Sequence, residues 1–406
     1  MFKNLRDYEF PKLVFASFFL SFAFGAINGF WSLLLYETIG LDKSQLGFFS
    51  ATMSIISIIT MLFVVPRLTK RINERTLTMF SYVVLILSYL LVIRTDNVWV
   101  FGFIIFFAMI ATRTRDSGFN IVFKNFASVK NRFRNYGIMY SFRNIASLVA
   151  PSIAGFIVSI HSVQLNIVYA STMFFISFIL FMIFTKDYKP ITKKINSNHE
   201  HKKIKSENLI KFFSNYDYIR AYIVNCGTFF WFFFMVYYVP IYFIENGISE
   251  VMIGIFVSTL SIPLILGEYK IAKLENEENV RIVLFIGYLI MGTVAVATFL
   301  VDDVLFRYLI LPLSMLGVAS IEPSKEMYFF SQVNKNGDDE NELFPIYITA
   351  LDIGTIGSSL LFGIYFLFFN SYEYTFLFVA GIIALILFIL GNRIVVSDLK
   401  LFKKRN

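Results

Sequence analysis

A handful of charged residues lie inside apolar stretches of this sequence, and they carry the chemistry. Arg113, Arg115 and Asp116 follow about fifteen residues of a stretch that opens at Val98. Arg143 comes six residues after Gly137 in the next stretch, Glu322 stands directly before Pro323, and Asp352 lies in Thr349-Ala-Leu-Asp352-Ile-Gly354. An ionisable group inside an apolar span costs at least ~2.5–3.5 kcal/mol on insertion scales, so it finds a partner or faces a cavity. A guanidinium grips a carboxylate in two-point fashion, which makes Arg113 and Arg143 candidates for binding an anionic small molecule. A carboxyl taken out of water can bind and release protons near neutrality, which makes Asp352, and after it Glu322, candidates for proton handling. Plainer readings stand beside these. Arg113 or Arg115 reaches the inner surface while Asp116 neutralises the other, Asp352 makes a structural hydrogen bond, and Lys325 and Glu326 mark a membrane edge at Glu322.

The elements that position these groups are apolar helices. The chain has 406 residues, 57% of them hydrophobic, 18% aromatic and only 16% charged, with 50 phenylalanines. Soluble domains carry about 25% charged residues, so lipid is the solvent for most of this chain. About 20 apolar residues cross the hydrocarbon layer as a helix. Runs of that kind begin at Leu13, Gln45, Leu77, Val98, Gly137 and Leu165, and again at Ile219, Val251, Ile282, Val304, Ile346 and Tyr374. The pattern is six plus six. Halves of 1–185 and 218–406 are expected to flank a linker of 186–217.

Lys and Arg collect on alternate loops. One set holds Lys3, Arg6, Lys12, Arg67, Lys70, Arg71, Arg75, Lys124, Lys130, Arg132 and Arg134, with the tail Lys400, Lys403, Lys404 and Arg405. The other holds little beyond Lys43, Arg94 and Arg307. The richer set is cytoplasmic by the positive-inside rule, so both ends are expected in the cytoplasm of a plasma-membrane protein. The net charge of +8 resides in these loops and forms no basic face for nucleic acid. His199 and His201 in the linker lack further ligands, the single Cys226 excludes a thiolate cluster, and no cofactor is expected. No nucleophile–base pair points to an enzyme. The first run is too long for a cleavable leader.

The halves repeat. Gly40-Leu-Asp-Lys-Ser-Gln-Leu-Gly47 after the first run matches Gly247-Ile-Ser-Glu-Val-Met-Ile-Gly254 after the seventh, with both glycines at the same spacing. With this repeat, the sequence resembles the major facilitator superfamily over essentially its whole length. Arg132-Phe-Arg134-Asn-Tyr-Gly137 is similar to the family's Arg-Gly-Arg-x-x-Gly entry into the fifth helix. Ala150-Pro151-Ser-Ile-Ala154-Gly155 resembles the Gly-Pro-x-x-Gly-Gly segment of its exporters, with two glycines replaced by alanines. The family's Gly-x-x-x-Asp-Arg-x-Gly-Arg loop is degraded to Pro66 to Arg75, with Lys70 at the acidic position and Arg71 after it. The family's arginine in the middle of the fourth helix is missing near Ile105.

The resemblance implies an all-α polytopic protein of twelve transmembrane helices in two pseudo-symmetric halves, acting as a monomer by alternating access. It also places Asn28 and Trp31 of the first run, and Asn225, Trp231, Tyr237 and Tyr238 of the seventh, on cavity-lining helices, where aromatics can stack on a substrate. Pro151 would bend a gating helix, and Lys70 or Arg71 would pair with Asp116 at the inner gate. The reading that follows is proton-coupled export of a small organic molecule, a carboxylate-bearing metabolite of siderophore type or an amphipathic drug. Import of a sugar, peptide or organic acid on the same fold stays open, as does a non-transporting receptor or assembly protein.

Overall fold

A computed structural model describes residues 5–126, 132–188, 206–272, 279–369, 371–372 and 374–391. His199, His201, the linker position Asn196, Lys130 and the basic tail up to Asn406 lie outside these residues. So do the side chains of Lys70, Arg132 and Arg134. Among the described residues there are helices and no strands, as lipid demands, since a helix satisfies its backbone hydrogen bonds within itself.

The helices follow the apolar runs. The first, α1, is Lys12–Asn28 continued by Trp31–Thr38 after a 44° bend at Gly29 and Phe30. Next come α2 (Lys43–Thr69), α3 (Glu74–Val92), α4 (Val98–Lys124), α5 (Ile138–Ile160) and α6 (Val163–Phe184). A short helix, α7 (Ser206–Ser214), occupies the end of the linker. The series resumes with α8 (Tyr216–Glu245), α9 (Glu250–Gly267), α10 (Val280–Leu300), α11 (Val304–Asn336), α12 (Glu342–Phe369) and α13 (Thr375–Gly391). Ten of these meet the length and apolarity of a membrane span, α1 is a bent one, and α13 is shorter at 17 residues.

Local chemistry sets the ends. Asp42 starts α2 with a capping box: its carboxylate accepts from the Gln45 N–H at 2.7 Å, and the Gln45 side chain accepts from the Asp42 N–H at 3.1 Å. The repeated glycines have a conformational reason. Gly40 and Gly247 both adopt left-handed backbone, with φ of 74° and 79°, which reverses the chain at little steric cost only in glycine.

The fold has two compact units. One comprises Met1–Ile195 with Gly247–Ser258, the other Asn196–Asn246 with Thr259–Asn406. In the first, α1 packs on α5 and α6, and α3 on α4 and α6. In the second, α8 packs on α12, and α10 on α11 and α13. The ordinal pattern is the same in both, so the internal repeat is structural as well as sequential. Small residues bring backbones together. A side chain at Gly155 would come within 2.6 Å of the Glu250 carbonyl and 3.1 Å of the Gly254 Cα, and Gly254 faces the Pro151 carbonyl in turn. The Ser152 hydroxyl meets the Ser258 hydroxyl 2.7 Å away.

Candidate functional site

Each unit buries charge among the described residues: Arg115 in the first, and Arg220, Arg307 and Lys325 in the second. In the first unit, α4 holds the Arg115 guanidinium against the Phe24 ring, 4.7 Å from its centroid, with the Tyr82 ring at 5.7 Å. Arg115 is 1% exposed. One of its nitrogens bonds the Asp116 carboxylate at 2.5 Å, while its Nε and Nη1 find no acceptor among the described residues. Tyr82 is fixed in turn by Ser177 at 2.8 Å. Arg143, on α5, lies over the Phe119 ring at 5.6 Å, and its Nε also lacks an acceptor there. It is within electrostatic reach of Asp116, Arg115 and Tyr82. Arg113 projects elsewhere: its Nε donates to the Ser57 hydroxyl of α2 at 2.5 Å.

Of the plainer readings, the one in which Asp116 neutralises an arginine fits the structure, with Arg115 enclosed by rings. Asp116 is bonded to Arg115, one residue away on its own helix, and the side chain of Lys70 lies outside the described residues. Arg71 is exposed. Pro151 lies inside α5, with its ring against Gly29 of α1, and its helix meets residues 247–258 through Gly155. Asn28 is exposed at the α1 bend, and Trp31 rests on Phe101 at 5.8 Å.

In the second unit, the Lys325 ammonium bonds the Glu322 carboxylate at 2.7 Å and lies over the Phe229 ring of α8 at 5.0 Å. Lys325 is 5% exposed and the Glu322 side chain 33%. Glu322 stands near the middle of α11, roughly 27 Å from the Val304 end and 21 Å from the Asn336 end at 1.5 Å per residue. Glu322 therefore lies well inside α11, away from both of its ends. Asn225 is buried with its Oδ1 unpartnered among the described residues, and so is the Tyr347 hydroxyl. Tyr347 lies within electrostatic reach of Glu322 and Glu326.

The other residues of this unit sort differently. Trp231 is fully buried and donates its indole N–H to Ser314 at 3.1 Å. Tyr238 is packed against Phe362 and Phe366 with centroids at 4.8 and 4.9 Å, and Tyr237 stacks on Phe233 at 4.3 Å. Trp231 and Tyr238 belong to the core, and Tyr237 is half-buried. Asp352 is half-buried in the first turn of a helical segment that opens at Ala350, because α12 is interrupted at residues 348–349. A carboxylate there is favoured by the helix dipole, which supplies a structural reason for it.

The sequence profile of the Major Facilitator Superfamily matches residues 13–334. The chain belongs to the major facilitator superfamily. It is a membrane transporter, not an enzyme. No curated protein matches it in sequence. Among solved structures, nucleoside transporter NupG superposes with a TM-score of 0.76 at 12% identity, over 95% of this chain and 98% of that one. A POT family transporter in complex with 5-aminolevulinic acid gives 0.73 at 13%, over 94% and 95%. Peptide transporter POT in complex with sulfate gives 0.70 at 11%, over 95% and 94%. At these identities the likeness speaks for the superfamily fold alone. Sequence reasoning placed neither Lys325 nor Arg115 among the binding candidates, although Glu-Pro-Ser-Lys at 322–325 already had the spacing of a helical ion pair.

Proposed function

We propose that this superfamily member is a proton-coupled secondary active transporter of a small organic molecule bearing a carboxylate, working by alternating access in the plasma membrane with both termini cytoplasmic. The observation that supports the substrate class is the first-unit cluster. Arg115 is bonded to Asp116 and Arg143 lies within its electrostatic reach, and both retain guanidinium N–H groups without acceptors among the described residues. Buried donors of this kind bind strongly to an anion that reaches them. Arg143 is the proposed contact and Asp116 the group that an incoming carboxylate displaces. Arg113 is the second candidate.

Glu322 is proposed as the coupling acid ahead of Asp352, because it is bonded to an enclosed cation, Lys325, whereas the position of Asp352 is explained by a helix start. The segment around Pro151 carried the expectation of export. Its small residues are accounted for by the close approach of Gly155 and Gly254, so direction is not inferred from it.

The test is flux into inverted vesicles with and without a pH gradient, using anionic, zwitterionic and cationic compounds, with nucleosides and peptides in the panel. Gradient-driven flux of a carboxylate, lost in Arg143→Gln and in Glu322→Gln but kept in Asp352→Asn, is the expected result. Gradient-driven flux that survives in Glu322→Gln and disappears in Asp352→Asn reverses the coupling assignment. Flux restricted to uncharged compounds defeats the substrate class.

A further inference from the structure

The Glu322–Lys325 pair determines the sign of coupling between proton and substrate, given the reading that this transporter carries a carboxylate with the help of protons. The ammonium of Lys325 has three N–H donors. Among the described residues it makes one hydrogen bond, to Glu322 at 2.7 Å, and is otherwise closed in against Phe229. The two partners differ in access: Glu322 is one-third exposed while Lys325 is almost fully enclosed. A proton therefore reaches the acid without first disturbing the base.

Protonation of Glu322 removes the carboxylate that bonds the ammonium among the described residues and leaves a buried cation stripped of that partner, which is strongly unfavourable. An anion that enters restores the balance. We propose that Lys325 is an anion-binding site unmasked by proton binding to Glu322, so that proton and anionic substrate bind together and cross in the same direction.

Tyr347 on α12 lies within electrostatic reach of Glu322 and Glu326 of α11, Tyr288 of α10 and Cys226 of α8, and Tyr288 lies within reach of Glu322. Arg220 on α8 and Arg281 on α10 act on Tyr328, further along α11, and Asp352 on α12 acts on Tyr222 of α8. The Tyr347 hydroxyl, buried and unpartnered among the described residues, is a donor for the same anion. By linkage, the anion raises the proton affinity of Glu322 by the same factor that the proton raises the anion's. One proton and one monoanion add no net charge to the site.

The experiment measures binding, and needs neither a gradient nor knowledge of the substrate. Thermal unfolding of the purified protein in detergent is followed against benzoate and methanesulfonate, both anionic at pH 5 and pH 7.5. In the unaltered protein the half-saturating concentration is expected to fall at least tenfold from pH 7.5 to pH 5. Glu322→Gln, which mimics the protonated acid, should show the low value at both pH values. Lys325→Met in that background should remove the effect. The doubly neutral variant should also unfold at a higher temperature than Glu322→Gln alone, which separates loss of the site from loss of folding. Anion affinity that is the same in Glu322→Gln and the unaltered protein overturns the proposal. So does affinity that survives Lys325→Met, or the absence of any stabilisation by either anion. Such results would leave gradient-driven flux in vesicles intact if the wider transport reading holds, and that flux would vanish if only the wider reading fails.

Discussion

Arg115 and Asp116 are adjacent in sequence and unequal in surroundings. The arginine is enclosed by Phe24 and Tyr82, whereas the acid's side chain is 45% exposed. Removing the acid's charge leaves a buried cation with one partner fewer. Removing the cation leaves an acid with room to hydrate. Asp116→Asn should therefore destabilise the transporter by roughly 3 kcal/mol, the range for stripping one partner from a buried pair. Arg115→Met should cost less, since an apolar chain of similar length fills the space between the rings. Unfolding midpoints of the two variants in detergent decide this, and a Met variant that melts below the Asn variant would refute the asymmetry. The sequence showed that α4 carries charge at this depth but not which arginine is enclosed. Arg113 and Arg115 are two residues apart, so they project about 200° from each other around the helix. Which side faces the interior is fixed by neighbours such as Phe24 and Ser57, far away in the chain.

At the level of elements, the helix least legible in the sequence was α7. It has nine residues and follows a lysine-rich stretch, so a window scaled to a membrane span averages it away. Its anchor is Phe212, fully buried among Tyr218, Tyr222 and Phe329 with centroids at 5.5, 5.9 and 6.2 Å. Its clasp is polar. Asp338, just beyond α11, accepts from Lys211 at 2.6 Å and from the Tyr218 hydroxyl at 2.5 Å. Burial alone would push the Asp338 carboxyl up, but these two donors outweigh it and hold the carboxyl below its ordinary value. A carboxyl with a depressed folded-state pKa contributes stability above its unfolded value of about 4, and that contribution fades as pH falls through the folded value. Docking of α7 should thus be unchanged from pH 8 to pH 5 and weaken only below about pH 4. Amide hydrogen exchange across Ser206–Ser214 measures it. Lys211→Met should raise exchange throughout the neutral range, and equal protection in that variant would show that Phe212 suffices. The long helices were legible for the opposite reason. Their apolar length is imposed by the bilayer, and only interruptions such as the one at 348–349, which moves Asp352 into a first turn, depend on tertiary packing.

On the scale of the whole molecule, the six-plus-six order was readable because two independent constraints act on one chain. Every backbone polar group in lipid must be bonded within its own helix, which fixes the number of apolar runs. The positive-inside rule then orients them. The structure removes one of the three charges that opposed the bias. Arg307 is not a loop cation, since it donates to the Thr298 carbonyl at 2.8 Å and to the Tyr242 hydroxyl at 2.6 Å and pairs with Asp302 at 3.0 Å. Of the loop cations that opposed the bias, Lys43, next to the capping residue of α2, and Arg94 in the α3–α4 turn remain. The bias is thus stronger than the sequence count implies. Counting bent α1 and short α13 as spans beside the ten, with α7 lying between the two sets, gives an even number of crossings and returns the chain to its starting side. A reporter active only in the cytoplasm, fused after Asn406 or inserted at Asn196, should be active in both places. A reporter active only outside should work at Asp96, between α3 and α4. An outside signal from Asn196 would mean that an odd number of helices precedes the linker. That result would break the pairing of α1 on α5 with α8 on α12, on which the internal repeat rests.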